Sequence, residues 1–182
     1  MEQTVEEFFH GFRQEMLADA EAGSTYQLEA FMDSVSNELV ETGFVEGFEH
    51  CHYRAPKGMR VDGYWFNDEG AVDIFIADFD CRRELETLTR TDVDAIFKRV
   101  MNFFEASLDG SLEPDVTTPE YGLVRQIADR RAAIRQVNFF LVSERVLSDR
   151  FQAFPDNTIG GIRATHHIWD IARFQRQLAA AG

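Results

Sequence analysis

Basic residues are scarce in this chain of 182 residues: 18 lysines and arginines stand against 32 aspartates and glutamates, giving a formal net charge of −14. Affinity for nucleic acid comes largely from Lys and Arg side chains that neutralise phosphates, so such a surface repels polyanions. This argues against a protein that coats a DNA duplex. It leaves room for a nuclease whose acids hold a divalent metal, because a bound cation inverts the local field.

Cysteines and long apolar runs are also scarce. Cys51 and Cys81 are the only cysteines. The apolar runs are too short and too often interrupted to span a membrane. The N-terminal MEQTVEEFFH is acidic, which is not typical of a secretory signal. We therefore expect a cytoplasmic protein with reduced thiols and no membrane partner.

Several motifs of familiar enzymes are missing. Neither GxGxxG nor GxxxxGK[ST] occurs, so no glycine-rich phosphate cradle is predicted. Ser143 has no histidine near it in sequence, so a serine nucleophile is unsupported. His50 and His52 have a spacing that allows both to bind one metal ion, but no second pair of ligands follows at the spacing of a structural zinc site.

The chain does have enough apolar material for a substantial core. Its apolar fraction is 45%, including 17 phenylalanines. The length suits one domain. We divide it into a helical appendage at 1–25, a core at 26–143 and a C-terminal strand and helix at 144–182.

Hydrophobic periodicity divides the chain into helical and extended segments. Helices are predicted at 2–20, 28–39, 91–108, 119–131, 146–151 and 166–178, and strands at 44–55, 59–66, 71–79, 137–143 and 158–165. Three adjacent strands allow antiparallel hairpins, and a later strand that arrives through helices permits parallel pairing. We therefore expect an α/β fold with a central mixed sheet of four to five strands and helices on both faces.

The stretch VDGYWFNDEGAVDIFIADFD, residues 61–80, carries carboxylates at its outer ends. Asp62 opens its first strand, and Asp78 and Asp80 close the second. Side chains alternate along a strand, so Asp78 and Asp80 share one face. These acids are the strongest candidates for chemistry in the sequence.

The register of this hairpin decides whether Asp62 meets Asp78. We expect Phe66 to pair with Val72. Asp62 then faces Ile76 and lies diagonal to Asp78, at a Cα separation of roughly 7–8 Å. A slip of one residue would move Asp62 to the opposite face of the sheet.

Acids at this density repel one another unless one is protonated or a cation binds. Oxygen ligands alone suit Mg²⁺ or Mn²⁺ rather than Zn²⁺. Such a metal lowers the pKa of a bound water and stabilises charge on a phosphodiester. The predicted ligands are Glu38, Asp62, Asp78 and Asp80, with Mg²⁺ or Mn²⁺ as the cofactor. The alternative interpretation is that these acids are solvated ends of strands and bind no ion.

The order of these features resembles a known fold. A helix with Glu38, strands with Asp62 and Asp78, and then a helix and a strand resemble the PD-(D/E)XK nuclease-like core, αβββαβ, over residues 26–143. The hairpin run, together with VNFFLVSERVLS and HHIWDIARFQR, resembles the N-terminal domain of abortive-infection phage-resistance (AIPR) proteins. The resemblance implies metal-dependent phosphodiester hydrolysis in antiphage defence, or an inactive descendant of it.

Carried over by position, Asp62 matches the first motif acid and Asp78 the second. Asp80 stands where the motif has a lysine, which normally positions the attacking water and offsets charge in the transition state. Val61 stands where the motif has a proline. Some members of the fold take the lysine from the following helix, where Lys98 is the candidate.

Two hypotheses follow from the resemblance. The first is a Mg²⁺-dependent endonuclease with Asp62, Asp78 and Lys98 as catalytic residues. The second is a catalytically inactive nuclease-like domain that serves assembly, sensing or protein–protein interaction.

Arginines are densest between positions 125 and 135. Arg125, Arg131 and Arg135 are candidate contacts to nucleic acid, and the alternative is a solvated, salt-bridged face. The expected partners are nucleic acid, other domains of a longer defence protein, and a second copy of the chain.

Overall fold

The computed structural model describes residues 2–23 and 25–181. Within them the chain forms five helices and eight strands. The helices are α1 (Val5–Gly23), α2 (Gln27–Glu41), α3 (Arg90–Asp109), α4 (Glu120–Asp129) and α5 (Ile171–Ala181). The strands are β1 (Glu49–Ala55), β2 (Met59–Phe66), β3 (Ala71–Asp78), β4 (Thr87–Leu88), β5 (Gln136–Ser143), β6 (Val146–Leu147), β7 (Asn157–Ile159) and β8 (Ile162–Trp169).

Six of these strands form a mixed sheet in the order β1-β2-β3-β5-β8-β7. The first three are antiparallel neighbours, β3, β5 and β8 run parallel, and β7 closes the edge antiparallel to β8. The predicted α/β class and mixed sheet are confirmed, with six strands where four to five were expected. The likeness to a restriction-endonuclease core stays a prediction.

The β2–β3 hairpin adopts the predicted register. Phe66 lies opposite Val72, and the pairing continues to Gly63 opposite Phe75. The Asn67 side chain holds the connecting loop by accepting hydrogen bonds from the backbone N–H groups of Glu69 and Ala71, at 2.9 and 3.0 Å. The next position along β2 therefore places Asp62 on the face that carries Ile76.

The sheet is buried on both faces, which explains the nearly continuous apolar sequence of its central strands. Helices α3 and α4 cover one face, where Val72, Ile74 and Ile76 are buried with Phe97. The other face packs against α1 and α2, with Phe75, Phe140 and Trp169 in that core. None of the helices in the described part of the chain has the length and hydropathy needed to cross a bilayer.

The first strand begins later than predicted, at Glu49 rather than at residue 44. The preceding segment instead crosses the sheet face, where the Phe48 ring lies over Gly63. A Cβ on Gly63 would stand 2.1 Å from that ring. Phe48 also meets Phe75 edge to face, with ring centroids 5.0 Å apart. Aromatic packing across the sheet thus replaces further strand pairing.

One helix prediction in the last third was wrong, and another placed the start of a real helix too early. The segment predicted as a helix at 146–151 contains β6, which pairs with β4 in a small parallel sheet. The predicted helix 166–178 begins instead at Ile171, because the strand before it runs through to Trp169. Asp170 separates the two elements, since its carboxylate accepts the backbone N–H of Arg173 at 2.9 Å.

Candidate functional site

Asp62 is 2% exposed and makes three kinds of contact. Arg60 Nε donates to Oδ2 at 2.9 Å, and the backbone N–H of Ala77 donates to the same oxygen at 2.7 Å. His52 Nδ1 lies 3.0 Å from Oδ1. Burial alone raises the pKa of Asp62, but the His52 hydrogen bond, the Arg60 guanidinium and the Ala77 N–H outweigh it, and the pKa falls below its ordinary value.

A β-bulge in β1 aims His52 at Asp62, because the pairing with β2 shifts between His50 and Tyr53. His52 Nε2 in turn lies 2.9 Å from His50 Nδ1, and His50 Nε2 lies 2.6 Å from a carboxylate oxygen of Asp33. The two rings thus link the carboxylate of Asp33 to that of Asp62.

Asp78 ends β3 opposite Ser143, the last residue of β5. Arg145 binds its carboxylate through two bonds, Nε to Oδ2 at 2.7 Å and Nη2 to Oδ1 at 3.0 Å. The Ser143 hydroxyl donates to Oδ2 at 2.6 Å, and Arg82 Nη2 approaches Oδ1 at 3.4 Å. Asp78 is therefore neutralised by guanidinium groups of its own chain.

The loop after β3 is anchored by Glu144, which is buried at 2% exposure. Its carboxylate accepts the backbone N–H groups of Asp80 and Arg82, at 2.6 and 3.1 Å, and a guanidinium bond from Arg82 at 2.7 Å. Burial raises the pKa of Glu144, and these donors offset only part of that rise. In the same loop Cys81 adopts a left-handed φ of 52°. The loop is thus held in the conformation that presents Arg82.

A cavity of about 270 Å³ opens where β3 ends. Three acids in its wall are Asp78, Asp80 and Asp92. Five arginines line it as well: Arg54, Arg60, Arg82, Arg99 and Arg145. We call this cavity the arginine pocket.

The arginines of this pocket fall into two groups. Arg60, Arg82 and Arg145 are fixed by carboxylates at 2.7–2.9 Å. Arg54 and Arg99 are exposed, and no ion pair within 4.0 Å engages either of them in residues 2–23 and 25–181. These two guanidiniums are available to an anion that enters the pocket.

The predicted metal ligands are not arranged as a ready cation site. Glu38 is half-buried on α2 with an Oε1 that has no hydrogen-bond partner among the described residues, and Asp80 is 75% exposed. Asp62 and Asp78 are occupied by arginines. The one group of three ligand side chains found within 4.8 Å of one another in the described residues is formed elsewhere, by Glu6, His10 and Glu84. The prediction of Mg²⁺ or Mn²⁺ remains a prediction.

Lys98, the predicted displaced lysine, is exposed on α3 and does not line the arginine pocket, whereas its neighbour Arg99 does. The predicted nucleic-acid contacts have separate surroundings. Arg125 pairs with Asp129 at 3.5 Å, Arg131 donates to the carbonyl of Leu108 at 3.1 Å, and Arg135 lies beside the β2–β3 loop.

Sequence reasoning missed Glu144 and Arg145. The available signal was their position directly after the apolar strand VNFFLVS. Asp78 and Asp80 stand in the same way at the end of the apolar run IFIA. Parallel strands end at the same edge of a sheet, so charged residues at two such ends meet.

The family model described as abortive infection phage resistance protein N-terminal domain matches residues 31–176. No curated protein and no solved structure matches the chain.

Proposed function

The chain belongs to the family of abortive infection phage resistance protein N-terminal domains, which places it in abortive-infection phage defence; we propose that within this role it binds phosphate groups of single-stranded nucleic acid in the arginine pocket without hydrolysing them. This is the inactive, sensing form of a nuclease-like domain. The observation that carries the proposal is the pairing of Asp78 with Arg145 at 2.7 and 3.0 Å.

A metal nuclease needs carboxylate oxygens that are free to bind the ion. Here a guanidinium and a hydroxyl take both oxygens of Asp78. Removing one partner of a buried ion pair costs about 3–5 kcal/mol, which an incoming metal would have to offset. The arrangement favours arginine over metal as the positive charge of the site.

Guanidinium groups are well suited to phosphate, because their planar donors match its oxygens and they stay charged at any physiological pH. Arg54 and Arg99 are exposed at the pocket, and Arg60, Arg82 and Arg145 form its fixed wall. A cavity of about 270 Å³ has room for a phosphate group. The net charge of −14 disfavours a long duplex footprint.

The test is fluorescence anisotropy with labelled single-stranded DNA and RNA in buffer containing EDTA. We expect wild-type binding to survive EDTA, and Arg54→Ala/Arg99→Ala to weaken it about tenfold or more, since a hydrogen bond to a charged group contributes about 1.5–3 kcal/mol. The matched control is Arg150→Ala/Arg163→Ala, which removes the same charge from exposed positions outside the pocket. If the wild type does not bind at about 100 µM protein, which is the weakest dissociation constant typical of non-specific binding to nucleic acid, the proposal is overturned. An equal loss in the control would overturn it too.

A second candidate is metal-dependent cleavage, favoured by one observation: the carboxylates of Asp78, Asp80 and Asp92 line the same cavity. In that case Asp62, Asp78 and Asp80 would hold Mg²⁺ or Mn²⁺ after the arginines move, with Arg99 as the nearby cation. Glu38 lies on α2, which covers the other face of the sheet, and would take no part. The test is calorimetric Mn²⁺ titration together with cleavage of labelled strands. Equal heats for wild type and Asp78→Asn, with no cleavage by either, would exclude this candidate.

A further inference from the structure

A polar row crosses the sheet face opposite the arginine pocket. Asp73 on β3, Asn138 on β5 and Thr165 on β8 lie directly opposite one another in the strand register. Asn138 Nδ2 donates to Asp73 Oδ1 at 2.8 Å, and the Thr165 hydroxyl donates to Asn138 Oδ1 at 2.6 Å. Central strands covered on both faces normally carry apolar residues there, so this row calls for an explanation.

Asp73 lacks a counter-charge. It is 7% exposed, and no ion pair within 4.0 Å reaches it from the described residues. Within the described part of the chain only Oδ1 of Asp73 receives a side-chain hydrogen bond, and the residue lines a cavity of about 430 Å³. Burial raises the pKa of Asp73, Asn138 partly offsets this, and the Glu46 charge adds to the rise. A buried carboxylate is costly unless donors reach it, and a ligand with N–H groups would supply them.

The amide of Asn138 is fixed by its neighbours. Its oxygen accepts from Thr165 and from Gln136 Nε2, each at 2.6 Å, so its nitrogen must be the group that faces Asp73. That nitrogen has a second N–H. The cavity wall thus offers an acceptor on Asp73 beside a donor on Asn138, on strands about 4.8 Å apart. A heterocycle that carries a hydrogen-bond donor beside an acceptor on one edge would pair with these two groups.

Aromatic rings form the other walls of the same cavity. Phe140 stacks on His167 with centroids 4.9 Å apart, and Phe44 meets Trp169 edge to face at 4.9 Å. Arg173 also lines the cavity, with its guanidinium 3.7 Å from the Trp169 ring centroid. Bases stack favourably on aromatic side chains, and a guanidinium at the rim suits a phosphate.

We propose that this cavity, the nucleotide pocket, binds a guanine nucleotide through Asp73 and Asn138, with the base against the aromatic wall and the phosphate toward Arg173. Guanine presents two adjacent donors, the ring N–H and the amino group, next to a carbonyl acceptor. Asp73 accepts from the donors, and Asn138 donates to the carbonyl. Adenine, cytosine and uracil each offer one contact fewer to this pair. The inference does not depend on the arginine pocket, which lies on the other face of the sheet.

The test uses the two tryptophans of the chain. Trp65→Phe leaves Trp169, in the wall of the nucleotide pocket, as the only tryptophan. GMP, AMP, CMP and UMP are titrated into this variant while its fluorescence is recorded. We expect GMP to quench Trp169 and to bind at least tenfold more tightly than UMP. No response to any of the four at about 1 mM, where binding free energy is only about 4 kcal/mol, overturns the inference.

Substitutions then locate the site. Asp73→Asn should weaken GMP at least tenfold, because an amide cannot accept both guanine donors. Asp129→Asn is the control, an exposed aspartate on α4 that is changed in the same way. Phe44→Ala, at a ring that is 48% exposed, should also weaken GMP binding. This variant leaves the buried polar row unchanged, so it tests the site even if Asp73→Asn disturbs folding. GMP binding that is unchanged in both Asp73→Asn and Phe44→Ala overturns the proposal.

The arginine pocket provides the last control. Arg54→Ala/Arg99→Ala should keep wild-type GMP binding while losing affinity for single strands. If the double variant instead loses GMP, the nucleotide binds in the arginine pocket and the inference is wrong. If it keeps both ligands, the proposed function fails while the nucleotide pocket stands.

Discussion

At the scale of single residues, Asp62 is the clearest case of a buried charge held ionised by its surroundings. Asp62→Asn removes the charge that Arg60 and His52 face. Breaking a buried pair on one side costs about 3–5 kcal/mol, so we expect a loss of that size in the free energy of unfolding at pH 7. Urea denaturation measures it, with Asp129→Asn as a surface control expected to stay within about 0.5 kcal/mol.

The pH dependence of this loss has a definite sign. The folded pKa of Asp62 lies below that of the unfolded chain, which is about 3.9. Its contribution to stability is therefore fully present above the unfolded value and disappears as the pH falls through the folded one. The gap between wild type and Asp62→Asn should shrink on acidification below about pH 4. A gap that stays constant down to pH 2 contradicts the assignment.

The two cysteines should differ in reactivity. Burial, followed by the charges of Glu120 and Asp62, raises the pKa of Cys51 to about 12. Cys51 is also only 2% exposed, whereas Cys81 is partly exposed. Iodoacetamide at pH 8 should label native protein once, at Cys81, because only a thiolate reacts. Mass spectrometry reads the site, and labelling of folded Cys81→Ser at Cys51 is the contrary result.

At the scale of helices and strands, Glu144 determines the position of the loop that presents Arg82. Glu144→Gln removes the charge that holds the backbone N–H groups of Asp80 and Arg82. We expect those two amides to exchange faster with solvent, by about tenfold for each 1.4 kcal/mol lost, because the loop opens locally. Exchange at Ile74, in the middle of β3, should not change. Unaltered protection at 80 and 82 would show that the loop does not need this anchor.

The elements that sequence could predict are those whose pattern is local. The β2–β3 register follows from the hairpin itself, so Phe66 opposite Val72 was predictable. The strand β8 was partly mistaken for a helix, because Trp169, Ile171 and Phe174 also fit a helical spacing. Pairing with β5 at seven positions, from Arg163 to Trp169, decided the matter, and such long-range pairing leaves no mark in a single sequence.

The candidate site is likewise divided into residues that the sequence could predict and residues that it could not. Asp62 and Asp78 were found from their places at strand ends. Their partners were not, because Arg145 reaches Asp78 across 67 positions of sequence through the parallel pairing of β3 with β5. An acid at a strand end looks the same in sequence whether a metal or an arginine neutralises it. Only the fold distinguishes the two.

At the scale of the whole molecule, the charge of −14 and the arginine pocket act in opposite directions. The surface repels a polyanion only within the Debye length, about 10 Å at 0.1 M salt, because ions screen the charges beyond it, and the pocket attracts the polyanion at contact. Added salt therefore reduces both the repulsion and the phosphate contacts. The balance between the repulsion and the phosphate contacts can be measured, because few arginines make such contacts.

Salt dependence provides that measurement. Each phosphate neutralised on a single strand contributes about −0.7 to the slope of log K against log salt. Arg54→Ala/Arg99→Ala should therefore reduce the magnitude of the wild-type slope by about 1.4 if each arginine contacts one phosphate. Arg150→Ala/Arg163→Ala, which changes the net charge equally, should leave the slope as it is, because those side chains change only the distant field. Equal slopes for wild type and both double variants would mean that Arg54 and Arg99 neutralise no phosphate, and an equal change in both double variants would mean that net charge governs association.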